Sequence, residues 1–476
     1  MEGTMTERIQ VNGLPAEASF TAGGDLRWRV DGGAGRGEQS LAVESSVLGF
    51  KAEGRVITVR AFVSQLKGPF CGVGNLGNRV MKNFVLEMPT EVVAKMWSER
   101  LRKYIDSLGR PKRIFIFLNP YGGKKSARKI FHTEIRPLLL AANIIYTLQE
   151  TEYQLHAQEL AYKLDFLNYD GIVCVSGDGV LVEVVNGLLQ REDWDTAIKV
   201  PLGIIPAGTG NGLAKSILDA AGENYSIQNA TFAVIRGHKR ALDVTTVLQG
   251  NTKFFSILML SWGMQKRTEE KYCILRVMKL RKYHGNIEYV PAPGHESFGK
   301  PKNERAAIAG NIEISKQGRD GDVDVLHGYR GPNCCFDDSV WRFLEGPFIS
   351  IMLVNVPWVG KDAMPAPEAK FSDGFLDLVL IKDCSKSALA SILLKTGNGS
   401  HVKSPYVMYL KVKAFRLVPG NRVGDSAKGG IVDVDGEVVA RGEGVYMCGQ
   451  ERDPMSYGPP ILLTVDKGLA TVFSSR

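Results

Sequence analysis

The chain has 476 residues, 44% of them hydrophobic, enough for sizeable cores in about three domains of the usual ~150 residues. Its net charge of +8 is mild and diffuse, which suits an anionic membrane surface or a phosphorylated ligand; with no aromatic-plus-basic RNA motif, nucleic acid is not an expected partner. Seven scattered cysteines, Cys334 and Cys335 adjacent among them, fit neither a disulfide framework nor a zinc site and point to a reducing compartment.

Residues 1–10 are polar and charged, so no secretory apolar core is read there. The longest apolar runs, 254–260 and 348–359, fall far short of a membrane span. A cytoplasmic protein, soluble or peripherally attached to a membrane, is expected.

Residues 7–88 read as short strands broken by glycine, with 56–63 and 83–87 the clearest. One glycine-rich loop, 32–37, precedes both of those strands, and a second, 72–77, lies between them. Residues 90–108 read as an amphipathic helix. Thr90 is a candidate N-cap, Val93, Trp97, Leu101 and Ile105 share a face, and Gly109 ends it. Strands closed by one C-terminal helix resemble a pleckstrin-homology-like module, with an ordinary packed β domain as the plainer reading.

After a linker at 110–112, a buried strand at 114–118 leads into Asn119-Pro120-Tyr121-Gly122-Gly123-Lys124-Lys125-Ser126, and a helix follows. The amides of Gly122 and Gly123 in front of a helix N-terminus form an anion nest. Lys124 and Lys125 either add charge to it or are solvated surface lysines. The spacing matches neither the Walker A loop nor the dinucleotide fingerprint. Residues 143–151 then read as a strand and 152–164 as a helix.

The next unit is the most informative. Residues 172–175 are a β-branched apolar run of the kind buried on both faces of a parallel sheet. Ser176-Gly177-Asp178-Gly179 follows, and then Leu181, Val184, Val185 and Leu188 recur at helical spacing. An acidic, glycine-flanked turn therefore sits at the carboxyl end of a strand, where open α/β sheets place their ligands. Alone, this is equally a plain turn with a solvated aspartate. A fourth unit, 202–206, opens into Ala207-Gly208-Thr209-Gly210-Asn211-Gly212. Three glycine turns in register on alternating strands and helices indicate a polyphosphate cradle.

Beyond Asp243 the helical rhythm fades. Alternating runs at 254–260, 348–354, 376–381, 407–418 and 431–439 read as a second, mostly antiparallel β domain, with Asp435-Gly436 at a hairpin tip.

Together the three turns, with Glu183, Asn186-Gly187 and the stretches 193–197, 372–378 and 433–437, resemble the diacylglycerol-kinase-type catalytic domain. Within that group they look most like sphingosine (long-chain base) kinases, and the region running into 104–113 is similar to the plant branch. The resemblance implies an α/β fold of three parts. Residues 1–109 would form a β-rich N-terminal region, 110–242 a three-layer α/β ATP-binding catalytic domain, and 243–476 a lipid-binding β-sandwich that completes the cleft.

The same resemblance implies transfer of the γ-phosphate of ATP, with Mg²⁺, to the primary hydroxyl of a sphingoid lipid at a peripheral membrane surface. Asp178 matches the family's catalytic aspartate, and Ser176, Gly177, Asp178 and Gly179 match the head-group stretch. Asn119, Pro120, Tyr121, Gly122, Gly123, Thr151, Glu152, Tyr153, Gln154 and Leu155 match nucleotide-contacting positions. So do Glu183, Gly208, Thr209, Gly210, Asp435, Gly436 and Glu437. No metal ligand is assigned. The chemistry is coherent, because a hydroxyl attacking a γ-phosphate needs an acceptor within hydrogen-bond reach.

One segment departs from the pattern. Counting back without gaps from Lys271-Tyr272, the position of the sphingoid-binding aspartate holds Lys266, which sets a cation opposite a cationic amine. The position of a phosphate-contacting arginine holds Cys273, with Arg276 and Lys279 as its candidate replacements. Between Tyr272 and Arg281 the chain is also shorter than the family's by roughly a dozen residues or more. A long-chain base is the leading substrate. Another lipid hydroxyl, such as ceramide or diacylglycerol, and a non-catalytic nucleotide- or membrane-binding relative are the alternatives. Oligomeric state is not legible.

Overall fold

The computed structural model describes residues 3–31, 37–64, 79–263, 280–302, 328–333, 336–440, 442 and 457–475. Lys266, Cys273, Arg276 and Lys279 lie outside them, as do the 72–77 loop and all of the 32–37 loop except Gly37.

The N-terminal region is one antiparallel sheet of β1 (Met5–Val11), β2 (Leu14–Phe20), β3 (Asp25–Val30), β4 (Gln39–Ala42), β5 (Val47–Glu53), β6 (Val56–Ser64) and β7 (Arg79–Glu87), in the order β4-β3-β2-β1-β7-β6-β5. Period-two alternation puts Ile9, Val11, Phe20, Leu26, Trp28 and Ile57 into one core. The helix Glu91–Ser107 closes that core. Its N-cap Thr90 accepts a hydrogen bond from the Val93 N–H at 3.2 Å, and it buries Ala94, Trp97 and Leu101 against the sheet.

This module is tied firmly to the domain after it. The Arg110 guanidinium donates to the carbonyls of Val43, Glu44, Val47 and Leu48 at 2.7 to 3.1 Å. Leu48 and Phe62 belong to the same core cluster as Ile114, Leu139 and Phe232 of the next layer.

There β8 (Arg113–Leu118), β9 (Ile145–Glu150), β10 (Gly171–Ser176) and β11 (Leu202–Pro206) form a parallel sheet in the order β9-β8-β10-β11. Every residue of β10 is buried, as its β-branched run predicts. Ile172 and Cys174 pack towards the helix Asp178–Leu189, while Val173 and Val175 pack with the opposite layer, which holds Phe131, Leu139 and Ile235. That is the three-layer arrangement expected. The chain leaves β8 for β9 on one side, then crosses back to β10 and on to β11. The carboxyl ends of β8 and β10 therefore flank a topological switch point, the crevice where such sheets bind ligands.

The remainder is antiparallel: β12 (His238–Gln249), β13 (Thr252–Ser256), β14 (Met259–Gly263), β15 (Tyr283–Pro291), β16 (Lys300–Pro301), β17 (Arg342–Glu345), β18 (Ser350–Val354), β19 (Leu376–Ile381), β20 (Val407–Arg422), β21 (Asp425–Gly429), β22 (Ile431–Val434), β23 (Glu437–Ala440) and β24 (Ile461–Ser474). Its core gathers Leu260, Trp262, Tyr289, Leu378, Leu410 and Phe415. One strand joins this sandwich to the parallel sheet. Val472 of β24 pairs with Leu202 of β11, while residues further back along β24 pair with β20. Asp243, at a bulge in β12, accepts the N–H groups of Gly374 and Gly468, each at 2.6 Å. Among the described residues, no helix is long and apolar enough to cross a membrane.

Candidate active site

The three glycine turns meet. Asn119 N–H donates to Val175 O at 3.2 Å, Ala207 N–H to Ser176 O at 3.0 Å, and Asp178 N–H to Gly210 O at 3.1 Å. The approach is so close that a methyl group on Gly208 would overlap the backbone of Gly177, and one on Gly123 would lie 3.0 Å from the Gly208 carbonyl carbon.

Within the first turn the geometry differs from the expected nest. The Asn119 side-chain oxygen accepts from the N–H groups of Tyr121 at 2.9 Å and Gly122 at 3.1 Å. The Gly122 amide therefore braces the turn. The 151–155 stretch lies beside it, with Thr151 N–H bonded to Leu118 O at 2.9 Å. Tyr153 stacks on His156 with ring centroids 4.4 Å apart, and Leu155 adopts φ 68 at the start of the helix His156–Lys163. The predicted helix over 152–164 thus begins later, since that left-handed residue cannot continue a helix backwards. Glu183 caps it by accepting the Ala157 N–H at 3.2 Å. Burial raises the Glu183 pKa; the Leu155 and Ala157 amides oppose the rise, and the nearby Glu437 adds to it.

Asp178 opens its own helix, yet its carboxylate caps another one. Oδ2 accepts from Gly212 N–H at 2.7 Å and Oδ1 from Leu213 N–H at 3.3 Å, at the start of the helix Gly212–Ala220. Asn211, at the N-cap position of that helix, turns its side-chain N–H back to Gly208 O at 2.8 Å. Asp178 is 3% exposed. Burial pushes its pKa up to about 6, against the pull of the two amides, and Asp435 nearby adds to the rise.

Asp435, at the hairpin tip with φ 51, is satisfied by four donors: Ser256 Oγ at 2.9 Å and the N–H groups of Ile257, Leu258 and Met259 at 3.1, 2.9 and 2.7 Å. These bonds fold the chain at 257–258, so the predicted run 254–260 becomes two strands, β13 and β14. Asn186 works similarly across the same boundary. Its amide donates to Phe255 O at 2.8 Å and accepts Phe255 N–H at 2.9 Å.

A cavity of about 580 Å³ opens where the turns face the sandwich. Gly177, Asp178, Gly179, Thr209 and Gly210 line one end, with Asp433, Asp435, Gly436 and Glu437 beside them. Leu258, Met352, Val379, Ile392 and Leu393 make much of the rest apolar. Residues 119–123, 151–155 and Glu183 are not among its lining; the first two stretches sit at the carboxyl ends of β8 and β9, and Glu183 lies on the helix after β10, against Ala157. Sequence reasoning missed Ser261, Ser350, Asp433 and His401, which do line it. For the three on strands the signal was their phase, whereas His401 lies in the short helix Ser400–Lys403 and had none. Leu260 and Trp262, Ile351 and Leu353, and Val432 and Val434 point into the sandwich core, so polar residues alternating with them face the cavity.

Among the described residues there is no group of three or more His, Cys, Asp or Glu side chains placed to hold a metal ion.

Residues 113–247 match the diacylglycerol kinase catalytic domain family, and residues 337–447 match the YegS C-terminal NAD kinase beta sandwich-like domain. Over 99% of the chain it is 46% identical to sphingosine kinase 2 of Arabidopsis thaliana, covering 97% of that protein. It is 47% identical to sphingosine kinase 1 of the same plant, covering 96% of it. Over 70% of the chain it is 31% identical to human sphingosine kinase 1, covering 87% of that protein.

Proposed function

The chain belongs to the sphingosine kinase family of lipid kinases, and from that premise we infer how its cleft divides the work. The enzyme transfers the γ-phosphate of ATP to the primary hydroxyl of a long-chain base, giving a sphingoid base 1-phosphate. The observation that carries the division of roles is the position of Asp178, on the wall shared by the glycine turns and the apolar cavity.

On this reading the backbone of the Gly208-Thr209-Gly210 turn, with residues 119–123 and 151–155 behind it, holds ATP at the switch point. The lipid tail lies in the cavity with its hydroxyl at Asp178. A carboxylate offers about four acceptor sites. The Gly212 and Leu213 amides take two of them, so acceptor capacity is left for the hydroxyl proton. The two amides also fix the carboxylate's orientation before substrate arrives, which is the positioning that phosphoryl transfer depends on.

Mg²⁺ would come with the nucleotide. It generally needs only one or two carboxylates besides phosphate oxygens, so the lack of a preformed cluster among the described residues is compatible with it. Glu437, on the cleft wall, is the carboxylate that would help hold it, and the ion would neutralise phosphate charge. Because the lipid resides in a bilayer, peripheral attachment to a membrane belongs to the same reading.

The test is incubation of purified protein with labelled ATP and sphingosine, phytosphingosine, ceramide or diacylglycerol in separate vesicles. Label in the two long-chain bases is expected. Label only in ceramide or diacylglycerol would reassign the substrate, and ATP binding with label in none would make the chain a non-catalytic relative.

A further inference from the structure

The helix Gly212–Ala220, whose first two amides hold the Asp178 carboxylate, is gripped along one face by Trp358 of the sandwich. Gly212, Lys215, Ser216 and Asp219 stand at the i, i+3, i+4 and i+7 positions of that face. Buried Trp358, in the chain between β18 and β19, runs along all four. Its carbonyl crosses Gly212 so closely that a methyl group there would lie 2.4 Å from the oxygen. Its N–H donates to Ser216 Oγ at 3.1 Å, and that hydroxyl donates to Gly212 O at 2.8 Å. Its indole Nε1–H donates to Asp219 Oδ2 at 3.0 Å, and Lys215 Nζ stands 4.2 Å from the ring centroid.

The same loop is fastened to the cavity wall. Asn355 donates from its side chain to Asp243 O at 2.7 Å and Ile257 O at 2.9 Å, and from its backbone N–H to Leu258 O at 2.9 Å. Val359 N–H donates to Ala363 O at 3.0 Å, and Leu258, Val359 and Ala363 all line the cavity. We propose that Trp358 is a positioning residue for Asp178, carrying the position of the cavity wall through the helix Gly212–Ala220 to the carboxylate. The proposal rests on the kinase reading and adds how the lipid side of the cleft sets the base. The physical reason is leverage on two hydrogen bonds. If the start of the helix drifts, the Gly212 and Leu213 amides leave the carboxylate. Its ionised form then loses their support, and its oxygens lose the fixed direction that phosphoryl transfer needs. The competing role for Trp358 is plain packing, which would stabilise the fold without moving Asp178.

The experiment compares the wild-type protein with Trp358→Phe, which keeps a ring but loses the bond to Asp219, and with Ser216→Ala, which loses the hydroxyl between Trp358 and Gly212. Each variant is expected to lower kcat about 3- to 30-fold, while the KM values for ATP and sphingosine stay within about threefold. Trp358→Ala should lose more kcat than Trp358→Phe. The titration of Asp178 is followed by carboxyl NMR of isotopically labelled aspartate, with Asp178→Asn to assign the signal. In Trp358→Phe it should rise by about half a pH unit. Among the described residues, Asp435 and Tyr225 interact with the Asp178 charge, and none of these variants alters either. Added to Asp178→Asn, Trp358→Phe should cost little further kcat, because its effect runs through the missing carboxylate. Two results would overturn the proposal: an unchanged Asp178 titration with a lowered melting temperature, or kcat losses that multiply in the double variant. The NMR measurement needs no turnover and so separates this proposal from the kinase reading. If the wild type transfers no phosphate but the titration moves in Trp358→Phe, the kinase reading fails alone; if it transfers phosphate and neither kcat nor the titration differs in the variants, the positioning role fails alone.

Discussion

Asp178 and Gly212 are joined by a 2.7 Å hydrogen bond from the Gly212 amide to the Asp178 carboxylate, so the proposed base is also the N-terminal cap of the neighbouring helix. The positive end of that helix favours the ionised form, and burial among the turns opposes it. The balance leaves the group titrating at about 6. Asp178→Asn should lower kcat by about 100-fold or more, within the usual range for a lost proton acceptor, and leave ATP affinity within a few-fold. Retained turnover measured with labelled ATP would remove Asp178 from the mechanism.

The same value sets a pH dependence. The base must be ionised to accept a proton, so kcat should fall about tenfold per unit as pH drops below about 6, and Asp178→Asn should lack that limb. The effect on stability has the opposite sense. A carboxyl whose folded pKa is raised binds its proton more tightly in the native state, so its contribution is favourable below the unfolded value near 4. That contribution is lost between about pH 4 and 6, by roughly 3 kcal/mol. Urea unfolding of the wild type and Asp178→Asn across that window should show a shallower loss in the variant.

Gly208 lies against Gly177 with no room for a methyl group. Gly208→Ala must push the third turn away from the second, and with it the hollow the phosphates need. The expected result is a rise of at least tenfold in the ATP KM, or failure to fold, whereas Gly179→Ala, whose added methyl would meet open space, should bind ATP normally. Equal ATP affinity in the two variants, read by isothermal titration, would mean that the turns do not form one phosphate site.

The strand–turn–helix units were legible because each is local. The 172–175 run is buried on both faces, as β-branched residues ahead of a glycine turn indicate. What those units do for one another was not legible, since it depends on pairs far apart in the chain. Nothing near Glu183 says that it caps the helix beginning at His156, and nothing near Asp435 names Ser256 as a partner 179 positions away. The cavity face of the sandwich was hidden for a different reason. A period-two pattern shows which residues alternate, but not which of the two faces meets a ligand.

Asp435 looks like a nucleotide contact by motif, yet its carboxylate already accepts four hydrogen bonds from 256–259. Asp435→Ala would strand those buried donors, at about 1 to 3 kcal/mol for each that water cannot reach. The variant should lose at least about 3 kcal/mol in urea denaturation. Asp435→Asn, which tolerates the positive φ and keeps one acceptor, should lose less. Normal stability with lost ATP binding in Asp435→Ala would restore the nucleotide role.

Is the N-terminal sheet a separable module or part of the catalytic fold? Three contacts favour the second. Arg110 holds four carbonyls of residues 43–48, and burial lowers its pKa to about 10, with the neighbouring Arg236 adding to the fall. Glu223 pairs with Arg236 at 2.6 Å and with Arg79 of β7 at 3.7 Å, all three largely buried. Phe62 of β6 stacks edge-on to Phe232 at 5.3 Å. Removing residues 1–88 would expose Phe232 and leave Glu223 and Arg236 open to solvent on one side. The truncated chain should therefore aggregate or melt well below the full chain. Arg110→Met, which keeps bulk but leaves the carbonyls without donors, should cost about 2 to 4 kcal/mol. A truncated protein that melts like the full chain and keeps its kcat would show the sheet to be an accessory.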